Sequence, residues 1–304
     1  MASGAGVAAA GRTALASPVL AVVLAMLFWS ITPIVVRYVH ADVPPMGLSF
    51  WRSAVAFALL LPFTWRPLLR QWPTVRPHLP LLALLSLLLW VGGNALLVLS
   101  LQFTIAINAA VINSVEPVII ILVAALLFRD RLGWKQAVGI ALSLGGVLVL
   151  ISGGSLDRLL LLDFNKGDLI VTCAYISWGC YAVLLRKLPP GLDGRVVVIV
   201  LIGIGGLLIL PLYLIEIAVY KPILPTPVTV LTVIGLAVFA SMLALLFWNY
   251  GLTRMGAIRT GHFLHLIPAF SVILALTFLS ERLGTYHIVG IVLIAAGILF
   301  ASRK

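Results

Sequence analysis

The sequence predicts an all-α membrane protein of ten transmembrane helices, built as two inverted-topology five-helix repeats with both termini in the cytoplasm. Three observations lead there. The 304 residues are 62% hydrophobic and only 10% charged, with a mean hydropathy of +1.20, against about 25% charge in soluble domains. The apolar runs have the roughly 20-residue length a helix needs to cross about 30 Å of hydrocarbon; a transmembrane barrel shows short alternating segments instead. Finally, residues 106–153 recur, ungapped, 151 residues later on 257–304, with 13 of 48 positions identical. Pro117 meets Pro268, Arg131-Leu132-Gly133 meets Arg282-Leu283-Gly284, and Gly139 and Gly146 meet Gly290 and Gly297.

The elements follow in order. The small-residue segment 1–17 precedes span one, 18–39, which is too long for the apolar region of a signal peptide. Span two, 47–66, lies between Pro44-Pro45 and Pro67; span three, 80–101, follows Pro73. No charge separates it from span four, 105–128, so a tight turn joins them. Arg129-Asp130-Arg131-Leu132-Gly133 leads into span five, 134–153. The linker 154–167, with Asp157, Arg158, Asp163 and Lys166, divides a first repeat, 18–153, from a second, 168–304. Spans six to ten are expected at 168–188, 196–219, 228–250, 257–279 and 285–302, punctuated by Pro189-Pro190-Gly191, Pro222 and Pro225-Thr226-Pro227.

Charge sets the orientation. The net charge of +11 comes from 20 Lys and Arg against nine acids, and these bases sit in loops between apolar runs, which argues for topology and against nucleic acid. With the N-terminus inside, cytoplasmic segments hold 14 Lys and Arg and outer segments five, leaving out Arg52, which lies within a span. Five spans per repeat make the second copy enter from the opposite side, a design typical of secondary transporters that bind substrate near the bilayer midplane. Cys173 and Cys180, seven residues apart on one helix, are about 10 Å apart along its axis, too far for a disulfide within it.

Three stretches carry a family resemblance: Trp29-Ser30-Ile31-Thr32-Pro33-Ile34-Val35-Val36-Arg37, Phe50-Trp51-Arg52, and the block from Asn108 through Glu116-Pro117 to Arg129-Asp130-Arg131-Leu132-Gly133, Gly139 and Gly146. Together they resemble the EamA branch of the drug/metabolite transporter superfamily, in its ten-span, two-repeat form, from about residue 18 to 302. The resemblance implies a carrier in the bacterial inner membrane, exporting amino acids or related metabolites by alternating access, with no cofactor. The second repeat departs from the first, with Ile267 in place of Glu116, and His262 and His265 in place of Val111 and Ser114.

Polar groups at membrane depth are costly and by default line a cavity or pair with one another. Glu116, before Pro117 in span four, is the leading candidate, for binding a substrate amine or coupling to protons. The competing role is a protonated acid, or one paired to Arg52, closing an interhelical gap. Asn113, one turn away, is expected to line the site; Asn108 is as well suited to gluing helices. His262 and His265 are expected to line the cavity or bond neighbouring helices; with no third ligand nearby they are not expected to hold metal. Trp29 and Trp178, in equivalent repeat positions at mid-depth, offer an apolar wall and cation–π contact, or plain packing. Tyr181 follows Trp178 by one turn, and Asn94 follows Gly92-Gly93 in span three. No P-loop or hydrolase motif is present, which argues against an enzyme. A lipid-substrate enzyme and a non-transporting partner subunit remain as alternatives; the expected partners are a small-molecule substrate and the bilayer.

Overall fold

The computed structural model describes residues 17–128, 133–161, 164–189, 191–255 and 262–301. Every regular element among them is helical. Both chain termini, the Arg129–Leu132 turn and the start of expected span nine lie outside the described residues.

Helices start where the sequence supplies prolines and caps. α1 (Pro18–Val39) has proline at its first position, where a missing N–H costs nothing, and Ser17 as its cap. α2 (Pro45–Val75) also starts on proline. α3 (Leu79–Ser86) and α4 (Leu96–Ser100) flank a π-helical segment, Leu87–Ala95. There follow α5 (Ala106–Asn113), α6 (Glu116–Phe128), α7 (Trp134–Ile151) and the short α8 (Leu156–Leu160). α9 (Lys166–Leu184), α10 (Gly194–Val219) and α11 (Pro227–Gly235) are capped by the side chains of Asn165, Asp193 and Thr226. A second π-helical segment, Leu236–Leu243, joins α11 to α12 (Ala244–Met255). A 3-10 turn, His262–His265, runs into α13 (Leu266–Phe278), and α14 (Thr285–Ala301) closes the chain.

Among the described residues five helical stretches are long and apolar enough to cross a membrane, or six if the bent pair 106–113 and 118–127 counts as one. One of the five, Pro45–Ser100, is continuous over 56 residues, which at 1.5 Å per residue is about 84 Å, far longer than a bilayer core of about 30 Å. α2 packs against both the following π segment and α4, so this stretch doubles back at the 3-10 turn Arg76–His78. Large apolar side chains such as Phe63, Leu126 and Val219 are at least three-quarters exposed, as lipid-facing positions require.

Packing runs between the halves as much as within them. α1 lies against α12, α13 and the second π segment, while α9 lies against α4, α5, α6 and the first π segment. α2 packs on α10, and α7 on α14. The last pair is antiparallel and meets through small residues. A Cβ at Gly146 would lie 2.8 Å from the Gly290 carbonyl oxygen, and one at Gly297 would lie 2.5 Å from that of Gly139.

Two features depart from the sequence expectation. Span four is not one helix: the chain bends by 45° between α5 and α6. Pro117 has no N–H to give the Asn113 carbonyl, and Ser114, Val115 and Val118 turn instead through i−3 bonds of 2.9–3.1 Å. The second departure is the pair of π segments. Shifted by 149 residues, the offset that aligns Trp29 with Trp178, Leu87–Ala95 falls on 236–244, which starts with the second segment, Leu236–Leu243, and ends one residue past it.

Candidate functional site

The expected residues converge on the break in span four and the two π segments. Glu116 is half-buried and opens α6, where the first backbone N–H groups have no intrahelical partner. Asn113, which ends α5, is buried, and α5 and α6 both pack on α9, which carries the buried Tyr175. The Tyr175 ring stands 5.3 Å from that of Trp178. The break that bears Asn113 and Glu116 thus packs on the helix that carries Tyr175 and Trp178. Tyr175 was missed in the sequence because it looked like one more aromatic in an apolar run.

Each first-span tryptophan rests on the π segment of the other half. Trp29 Nε1 donates to the Ala240 carbonyl at 3.0 Å, and its ring lies 5.7 Å from that of Trp248. Trp178 covers Gly93, where a Cβ would come within 2.3 Å of the indole nitrogen. A side chain at that position would displace the ring, so the sequence needs glycine there. Ser30 Oγ reaches across to the Ile267 carbonyl at 3.2 Å, tying α1 to α13 at the position that matches Glu116.

Two indole nitrogens here, Trp90 Nε1 and Trp178 Nε1, are buried without an acceptor among the described residues. A buried orphan donor is costly. Trp90 belongs to the first π segment and Trp178 rests on it, and π segments of this kind are frequent at functional sites.

Other expected residues sit elsewhere or do other work. Arg52 is buried, but it is not paired with Glu116: its Nε donates to Ser241 Oγ at 2.8 Å, and its guanidinium lies 6.0 Å from the Trp90 ring centre. The expected Arg52–Glu116 ion pair is absent among the described residues, because Arg52 reaches the second π segment instead. Asn94 Nδ2 donates to the Leu89 carbonyl at 2.9 Å, within its own segment. Tyr181 does not join Trp178; it packs in a separate cluster with Leu79, Leu184 and Val196. The backbone of His262 and His265 forms the 3-10 turn, while their side chains lie outside the described part of the structure. Asn108 glues helices, as set out below.

The EamA-like transporter family matches residues 16–152 and again 165–303. An uncharacterized transporter of Bacillus subtilis is 27% identical over 273 residues, covering 88% of this chain and 87% of that one. A probable terminal-alkyne amino-acid exporter of Streptantibioticus cattleyicolor is 25% identical, covering 95% of each chain. A probable amino-acid metabolite efflux pump of Escherichia coli is 25% identical, covering 90% of this chain and 91% of that one. One crystal structure superposes with a TM-score of 0.58 at 20% identity, over 94% of this chain and 96% of the other, a likeness of fold. The family matches the chain twice, and the relatives, which are named as transporters, align over nearly their whole length. This chain is a multi-pass membrane protein that belongs to the EamA-like transporter family.

Proposed function

We propose that the protein is a secondary transporter of the bacterial cytoplasmic membrane that exports amino acids or related small metabolites. Two five-span halves, 18–153 and 168–304, would rock around a mid-depth site. Glu116, Asn113, Trp178 and Trp29 are its working core, with His262, His265 and Asn94 as further lining residues.

The observation that carries this reading is the unpartnered indole donor of Trp178, on the helix α9 that packs against both sides of the break bearing Glu116. A zwitterion has what this group lacks and needs: a carboxylate to accept from indole N–H, and an ammonium to meet Glu116 and the aromatic faces. A discontinuous helix at the interface of two halves is where secondary transporters bind substrate.

Counting Pro45–Ser100 as two spans, the bent pair as one and the three shorter apolar helices as spans is consistent with ten, and the charge count supports termini on the inside. The inversion is supported by the antiparallel meeting of α7 and α14, because two copies related by a two-fold axis in the membrane plane must present matching helices head to tail. The relatives named as amino-acid exporters support the substrate class.

Replacing Glu116 with Gln tests the coupling role. Uptake into proteoliposomes at several pH values should fall and lose its pH dependence; an unchanged rate and profile sinks it.

A further inference from the structure

Away from the mid-depth group, four buried polar side chains from both halves form a single chain of hydrogen bonds. The Gly284 N–H donates to His287 Nδ1 at 2.8 Å, and His287 Nε2 lies 2.8 Å from Asn108 Oδ1. Asn108 Nδ2 donates to the Asp168 oxygens at 3.1 and 3.0 Å, and the Thr104 hydroxyl donates to Asp168 Oδ1. Asp168 and His287 are 2% and 1% exposed. Chemistry fixes the direction of every bond. A backbone N–H can only donate, so Nδ1 must be bare; an amide oxygen can only accept, so Nε2 carries the proton. The chain therefore requires a neutral imidazole.

The four residues join the start of α5, in the first half, to the starts of α9 and α14, in the second. Glu281 adds to the same end, accepting from the Ala106 and Ile107 N–H groups at 2.9 Å each. The sequence does not repeat these four residues in the matching positions of the other copy. By the 151- and 149-residue shifts, Thr104, Asn108, Asp168 and His287 correspond to Met255, Arg259, Val19 and Gln136. This set of titratable and amide side chains is thus present once, with no repeat at the matching positions.

We propose that Thr104, Asn108, Asp168 and His287 form a proton-binding latch that holds this end of the path between the two halves closed. Protonation of Nδ1 sets N–H against N–H at Gly284 and breaks the first link, loosening the turn that holds Glu281 on the Ala106 and Ile107 N–H groups of α5, while Nε2–H keeps Asn108. Histidine is the side chain that ordinarily makes this change between pH 5 and 8. The charged and titratable groups around it are Asp168, Glu281, Tyr286, whose ring lies 4.0 Å away, and Arg158, which acts on Tyr286. Of the other helices packed on α14, α6 brings Glu116 at its start, and α7 brings no charge between Gly139 and Ile151. The latch rests on the transporter reading for its purpose but not for its geometry.

Hydrogen–deuterium exchange on the full-length protein in lipid nanodiscs tests it, at pH 8 and pH 5.5 with intrinsic rates corrected. Peptides over 104–108 and 284–288 should exchange about tenfold faster or more at the lower pH, as a locally opened segment does; peptides over 141–148 should not change. His287→Gln should abolish the acid response, and Asn108→Leu should give fast exchange at both pH values. Equal corrected rates for the unaltered protein at the two pH values overturn the latch. So does an unchanged acid response in His287→Gln, or slow, acid-responsive exchange in Asn108→Leu. An acid-opened latch in a protein that moves no substrate removes the transporter reading and leaves the latch standing.

Discussion

The Ser143 hydroxyl lies 3.5 Å from the carbonyl of Ile294, the residue that holds the same position 151 places later. A position that meets its own copy marks the point where a two-fold axis passes between the two antiparallel helices. On either side Gly146 meets Gly290 and Gly139 meets Gly297, each pair exchanging roles across that point.

That contact is intolerant of bulk. Gly146→Ala should lower thermal stability by about 1–3 kcal/mol, since the neighbour is backbone that cannot turn aside. Gly145, with nothing within 4 Å of an added Cβ, is the control: Gly145→Ala should be neutral or slightly stabilising. Unfolding of the two variants in the same detergent reads the difference.

The two mid-depth tryptophans should respond differently to loss of the indole N–H. Trp29 donates to Ala240, so Trp29→Phe strands a carbonyl and should lower the melting temperature. Trp178 has no acceptor to lose. Trp178→Phe should leave stability nearly unchanged while raising the half-saturating substrate concentration about tenfold, the equivalent of one good hydrogen bond. Thermal melts and uptake curves on both variants separate the cases.

Much of this fold was legible because its signals are local. Prolines at Pro44-Pro45 and Pro225-Thr226-Pro227 mark helix starts, and the 106–153 repeat marks the halves. The site was legible as a set of polar and aromatic residues at depth, but not as a set of partners. Arg52 finds Ser241 across 189 residues, and His287 finds Asn108 across 179; no spacing in the sequence announces either. A π segment shifts hydrogen bonds by one residue without changing composition, so Leu87–Ala95 reads as ordinary helix. The bend at Asn113–Glu116 did have a signal in Pro117, which frees a carbonyl one turn back.

The Arg52 contact gives a quantitative check on which partner it keeps. A double-mutant cycle of Arg52→Gln with Ser241→Ala should show a coupling above about 0.5 kcal/mol, and the cycle with Glu116→Gln should fall within the additivity of separate sites. A strong coupling to Glu116 and none to Ser241 reverses the assignment.

At the surface, hydrogen bonds from the Arg195 guanidinium hold the Asp193 carboxyl below the usual carboxylate range. A lowered folded-state value means the contribution is present above about pH 4 and lost as pH falls through that value. Both side chains are partly exposed, so the ion pair should contribute less than about 1 kcal/mol. Asp193→Asn keeps a capping oxygen for α10 and should shift the melting temperature slightly at pH 7 and by less at pH 3; melts at the two pH values show it.

The central claim is that this chain alone moves a small zwitterion across a bilayer. Counterflow tests it most directly: purified protein in proteoliposomes preloaded with one unlabelled amino acid, with the labelled form outside, across a panel that includes nucleosides and polyamines. Transient accumulation of label with at least one amino acid, abolished in protein-free vesicles and weakened by Trp178→Phe, is the predicted result. No accumulation with any amino acid, or accumulation confined to nucleosides or polyamines, contradicts the account.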